Sequence, residues 1–85
     1  MMMSLTSMRN IGKELENKLM SVDIMTAEDL INAGSKEAFV RLKLRYPNVC
    51  LVHLYTLEGA ISGVDYNRLQ EDVKKSLKDF SNSLK

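Results

Sequence analysis

Asn48-Val49-Cys50-Leu51-Val52-His53-Leu54-Tyr55-Thr56-Leu57-Glu58-Gly59-Ala60-Ile61-Ser62-Gly63 is apolar at most positions. Asn48 can cap a helix over Val49 to Ser62, and Gly63 ends it. A helix apolar nearly all round belongs at the centre of a bundle, with other helices packed on it. It contains His53 and Glu58 and falls short of the roughly 20 apolar residues a bilayer crossing needs, so no membrane span is expected. Gly59 inside a helix costs about 1 kcal/mol relative to alanine. It lies on the same side as Val52, so close approach by another helix is expected there. Glu58 needs a partner, because burying an unpaired carboxylate is costly. A hydrogen bond from a backbone amide or a basic side chain would make it a structural residue that fixes how the helices cross; a role in partner binding is the alternative.

Upstream, Ser35 can cap a helix running to about Tyr46, since Pro47 disfavours helical geometry in the residue before it. At about 100° per residue, Ala38, Phe39, Leu42 and Tyr46 form one apolar arc, while Val40 and Leu44 form a second. Either this helix is wedged between neighbours, or Val40 and Leu44 belong to a partner surface. Before it, Thr26 caps a helix that begins with Ala27-Glu28-Asp29 and stops at Gly34. Leu15, Leu19 and Val22 repeat at helical spacing over Gly12 to Val22, leaving Glu14, Glu16 and Lys18 for the wet side. Downstream of a turn around Asp65 to Gln70, Val73, Leu77, Phe80 and Leu84 mark a last amphipathic helix. The expectation is therefore an all-α fold: a compact bundle of about five short helices in one domain over residues 8–85, with a flexible tail at 1–7.

Eighty-five residues allow one core, with about 60 to 65% of the unfolded surface hidden on folding. Twelve basic and eleven acidic side chains leave a net charge of +1, so any attraction for nucleic acid has to come from a local patch. One cysteine and one histidine exclude an internal disulfide and a Cys/His metal cluster, and they point to the reducing cytoplasm. No cofactor or metal is expected. The N-terminus lacks the pattern of a secretory signal.

Cys50 and His53 are neighbours on one helix, which invites a nucleophile–base reading. Glu58 points about 140° away from His53, and a buried thiol is a poor nucleophile. Cys50 is read as a small core residue and catalysis is not expected. Arg9-Asn10-Ile11-Gly12-Lys13 is the loop whose composition suggests binding. Gly12 permits a tight, left-handed turn, and the helix beginning there offers free N–H groups beside Lys13 to an anion. A plain helix-start turn is the alternative. The loop resembles the hairpin of helix-hairpin-helix motifs, which hold DNA phosphates by backbone amides. Asn10, however, stands where the first hairpin glycine is usual, and Glu16 where a small residue is usual.

Taken in order, Met8-Arg9-Asn10-Ile11-Gly12, Thr26-Ala27-Glu28-Asp29-Leu30, Gly34 with Glu37-Ala38-Phe39-Val40-Arg41-Leu42-Lys43, and His53 to Gly63 with its Leu-Tyr-x-Leu-Glu-Gly-Ala element resemble the C-terminal domain of the TfoX-type competence regulators. Tyr66, Leu69 and Gln70 occupy the region where that family often carries Trp followed by Leu-Pro. The resemblance implies a helix-hairpin-helix-like N-terminal half and a bacterial, cytoplasmic, non-enzymatic regulator connected with DNA transformation and competence-gene transcription. Two modes of action follow. One is a protein-interaction module, with self-association or the transcription or competence machinery as partner, using Val40 and Leu44. The other is weak, sequence-nonspecific DNA binding through Asn10, Gly12 and Lys13, helped by Arg41, Lys43 and Arg45.

Overall fold

The computed structural model describes residues 3–84. Among these, four α-helices and two short 3-10 turns account for the regular structure: α1 (Lys13–Met20), α2 (Ala27–Arg45), α3 (Leu51–Ser62) and α4 (Glu71–Ser83), with turns at Leu5–Ser7 and Tyr66–Arg68. The all-helical class is as the sequence predicts, but the count is four rather than five. The expected second and third helices form one element, α2, in which Gly34 leaves helical geometry at φ 85° and ψ 160°. Glycine takes such a φ without a steric penalty, so the stop read at Gly34 is a kink, and helical geometry resumes directly at Ser35.

The start of α2 is built as its sequence dictates. The Thr26 hydroxyl accepts from the Asp29 N–H at 3.1 Å, and the Asp29 carboxylate accepts from the Met25 N–H at 3.1 Å. Residues 3–7, read from the sequence as part of a flexible tail, lie against this helix start. The Ala27 N–H donates to the Met3 carbonyl at 2.9 Å, and Leu5 is fully buried. Burial of one leucine is worth about 1.5–3 kcal/mol, enough to hold a short segment in place. The helix-hairpin-helix-like half is accordingly reduced: what precedes α1 is a three-residue 3-10 turn rather than a helix.

The helix α3 begins two residues later than expected. Cys50, not Asn48, is its N-cap residue, with extended dihedrals, and its backbone N–H donates to His53 Nδ1 at 3.1 Å. Gly63 closes the helix in the left-handed conformation, φ 76° and ψ 27°, and the Val64 N–H returns to the Gly59 carbonyl at 2.9 Å. The most extensive packing is between α2 and α3. Leu30, Phe39 and Leu42 of α2 and Leu54 and Leu57 of α3 join Leu5, Leu19, Ile24 and Val49 as fully buried side chains of one core. The last helix, α4, adds Leu77, with Val73 and Phe80 half-buried, and the Lys36 ammonium sits 5.4 Å from the centre of the Phe80 ring.

Gly59 is crowded, though not by a helix. A Cβ there would lie 2.6 Å from both Asn10 Nδ2 and the Val64 carbonyl oxygen and 3.3 Å from Tyr66 Cα. Val52, expected on the same covered side, is 51% exposed. The neighbours are thus the loop before α1 and the turn after α3. Alanine at 59 would gain about 1 kcal/mol of helix propensity, against about 1–3 kcal/mol of overpacking on a backbone oxygen that cannot swing aside. Gly59→Ala is expected to lower the urea unfolding midpoint; an unchanged or raised midpoint would show that this close passage does not constrain the fold.

Candidate functional site

The loop Met8 to Gly12 is a structural junction first. Asn10 takes φ 73°, the left-handed conformation that asparagine tolerates better than most residues. Its Nδ2 donates to the Val64 carbonyl at 3.0 Å, while Arg9 Nη1 pairs with Asp65 Oδ1 at 3.0 Å. The left-handed turn expected at Gly12 therefore sits at Asn10; Gly12 is extended, φ −94° and ψ −178°, and caps α1. The Lys13 side chain is 81% exposed and 3.5 Å from Glu16 Oε1. Glu16, assigned to the wet side from the sequence, is buried. Glu14 and Glu16 in the first turn already face the positive end of the helix dipole.

The three basic residues of α2 have separate duties. Arg41 Nε pairs with Glu37 at 2.9 Å, and its Nη1 donates to the Val22 carbonyl at 3.3 Å. Lys43 Nζ donates to the Val49 carbonyl at 2.9 Å, fastening the turn between α2 and α3. Arg45 donates from Nε to the Tyr46 phenol oxygen at 3.3 Å. Gly12 lines a shallow cleft with Glu14, Leu15, Lys18 and His53, and Arg45 lines the next one, which shares Lys18 and His53 with the first. Asn10 lies on the opposite errand, against Gly59 and Val64.

On the second arc of α2, Val40 is half-buried and Leu44 is 83% exposed. A further apolar feature went unread in the sequence: an open groove of about 630 Å³ lined by Met3, Met8, Ile31, Ala60 and Ile61, with Arg9 at its rim. Ile31, on the outer side of α2 before the kink, is 54% exposed. Periodicity would not have flagged Ile31, which at the 27, 30, 31 spacing shares a face with Ala27 and Leu30 and reads as core. The groove itself depends on where residues 3–8 lie, which no local pattern records.

Glu58 has partners of a different kind from those expected. Its Oε1 accepts from the Ser35 hydroxyl at 2.6 Å and its Oε2 from the Ser62 hydroxyl at 3.1 Å. The Ser35 bond joins α2, just past its kink, to α3. Hydrogen bonds to a charged acceptor are worth about 1.5–3 kcal/mol each when sheltered. Cys50 is exposed rather than a core residue, because the later start of α3 moves it out to the cap. Its Sγ is 3.6 Å from His53 Nδ1, while Glu58 is occupied by the two serines. Among the described residues no group of three or more His, Cys, Asp and Glu side chains is arranged to hold a metal ion, and no helix is long and apolar enough to cross a membrane.

The electrostatic feature that sequence reading missed is Tyr46. Its hydroxyl is 2.7 Å from Ser21 Oγ, whose single proton has two acceptors in reach, the Lys18 carbonyl at 2.6 Å and, once the phenol ionises, the phenolate oxygen. Lys18 Nζ and the Arg45 guanidinium carbon lie 5.4 and 5.8 Å from the ring centre. The Ser21 hydroxyl, then the Arg45 side chain, with Lys18 adding a smaller share, hold the phenol below its ordinary value of 10.0 against the opposing effect of burial. In a protein whose Tyr55 and Tyr66 are replaced by Phe, ultraviolet absorbance should detect phenolate at lower pH than in a free tyrosine peptide. Ser21→Ala should move that midpoint upward; an unmoved midpoint would remove the Ser21 hydrogen bond from the account.

Comparison with known proteins places these features in a family. The family model for the TfoX C-terminal domain matches residues 1–81. No curated protein matches the chain. Two crystal structures from Listeria monocytogenes share the fold. An uncharacterized protein in a triclinic form is 44% identical, covering 94% of this chain and 91% of its own, with a TM-score of 0.91. A protein of unknown function in a tetragonal form is 43% identical, covering 96% and 100%, with a TM-score of 0.92. With nearly its whole length matched by that model, the chain belongs to the TfoX C-terminal domain family.

Proposed function

We propose that this chain is a non-catalytic regulatory module of bacterial competence and DNA transformation that acts in the cytoplasm through protein–protein contact. The observation that carries this reading is Leu44, a large apolar side chain left 83% exposed beside half-buried Val40 on the second half of α2. Burying one such leucine against a partner is worth about 1.5–3 kcal/mol. The groove at Met3, Met8, Ile31 and Ile61 adds a second apolar surface without a cover. Asn10, Arg41 and Lys43, three of the six residues considered for phosphate contact, are each anchored by a hydrogen bond to a backbone carbonyl, of Val64, Val22 and Val49 respectively. The net charge of +1 offers little counterion release.

Leu44→Asp tests the reading directly. At so exposed a position the change should leave stability within about 0.5 kcal/mol, checked by thermal unfolding. A bacterial strain carrying it at normal protein level should lose most competence-gene expression; full expression would remove Leu44 from the partner surface. The Val40→Asp variant should act in the same direction, with a larger cost in stability.

A second reading, DNA binding at the start of α1, keeps one observation in its favour: Gly12 has open space where a Cβ would sit, beside exposed Lys13. If it holds, amide shifts at Gly12 and Lys13 on adding a short duplex should shrink steeply with salt and vanish in Lys13→Glu. Salt-independent shifts, or none, leave the protein-contact reading alone in place.

A further inference from the structure

We propose that the cleft between α1, the end of α2 and the start of α3, built around Lys18, Arg45, Tyr46 and His53, is a binding pocket for a phosphate monoester or free phosphate. Its volume is about 270 Å³, and its walls are completed by Pro47, Asn48 and Val49, with no acidic residue among them. Two cations from different helices converge on one tyrosine ring there. Bringing like charges together costs energy, and the ring faces only partly offset it. Lys18 has a carboxylate partner, Glu14, at 3.6 Å, but that glutamate is itself 89% exposed and easily displaced. Among the described residues Arg45 has no ion pair; its Nε is fixed on the Tyr46 oxygen, which leaves the terminal Nη groups for an oxyanion.

Hydrogen bonds hold the frame of the pocket. Lys43 clamps the Val49 carbonyl from below, the Val49 N–H bonds to the Tyr46 carbonyl at 3.0 Å, and Ser21 holds the Tyr46 hydroxyl. His53 Nδ1 accepts from the Cys50 N–H, so a neutral ring carries its proton on Nε2 and offers a donor. Two positive charges with neutral donors beside them match a dianion better than the single charge of a phosphodiester. The charge of the ligand distinguishes the pocket from the DNA reading at Gly12 and Lys13, whose cleft shares Lys18 and His53 with it, and the proposal goes beyond the protein contact at Leu44.

The test is a titration of the isotope-labelled protein with inorganic phosphate at neutral pH, with sodium chloride at matched ionic strength as the control. Amide shifts at Ser21, Tyr46, Asn48 and His53 should saturate with an affinity of about 1 mM, as expected for a small anion on a surface pocket. Chloride should not reproduce them. Arg45→Gln and Lys18→Gln should each weaken binding at least about tenfold, while Lys78→Gln, on α4, should leave it unchanged. A nucleoside monophosphate should compete with phosphate for the same amides, and a blunt duplex without terminal phosphates should not. Shifts that rise linearly, that chloride matches, or that survive in Arg45→Gln would overturn the proposal, as would a duplex that occupies the pocket more tightly than phosphate. Because Leu44→Asp leaves these residues intact, failure here and failure of the protein-contact reading are told apart.

Discussion

The passage of the Asn10 amide and the Val64 carbonyl over Gly59, at a distance that leaves no room for a side chain, joins the beginning of the domain to the link between α3 and α4. Several other placements depend on it. The Arg9–Asp65 pair lies beside it, and residues 3–8 are thereby carried along the flank of α2 and α3, where Leu5 enters the core and Met3 meets Ala27. The groove lined by Met3, Met8, Ile31 and Ile61 is the space this routing leaves. A left-handed asparagine and a side-chain-free helix position are both local oddities; together they are one joint.

Some helix ends and caps were legible in the sequence because they are written in adjacent residues, although Asn48 and Ser35 do not cap helices as expected. Thr26 caps α2, Gly63 closes α3, and Glu71 and Asp72 open α4 as their types predict. The sequence makes Gly34 a helix stop, and the structure makes it a kink inside α2, because a single glycine cannot tell the two apart when both suit its positive φ. The crowding at Gly59 was legible too, from the cost of glycine in a helix. The identity of its neighbours was not, because Asn10 and Val64 are 54 residues apart.

The candidate residues fared unevenly for a related reason. Composition alone marks Arg41, Lys43 and Asn10 as polar groups available to a ligand, and only the fold reveals that each is tied to a backbone carbonyl, of Val22, Val49 and Val64. Cys50 moved from core to surface through a two-residue shift in where α3 starts. Conversely, Lys18, Tyr46 and His53 sit on three elements, each unremarkable in its own stretch, and they acquire a shared field only when α1 lies across the α2–α3 turn.

The burial of α4 is lopsided compared with that of the other long helices. It gives the core one fully covered residue, Leu77, and leans on α3 and on the Lys36–Phe80 contact, whereas α2 and α3 supply the bulk of the buried side chains. Local opening free energies follow buried apolar contact, so α4 is held less firmly than α2 and α3. Four of the six residues lining the cleft beside Glu58 and Lys36, namely Asp72, Val73, Ser76 and Leu77, belong to α4, so its departure would dismantle that cleft and expose the Glu58 carboxylate. The α2–α3 pair is thus the firmest part of the domain, and the helices that flank it are the ones whose amides should exchange with solvent first.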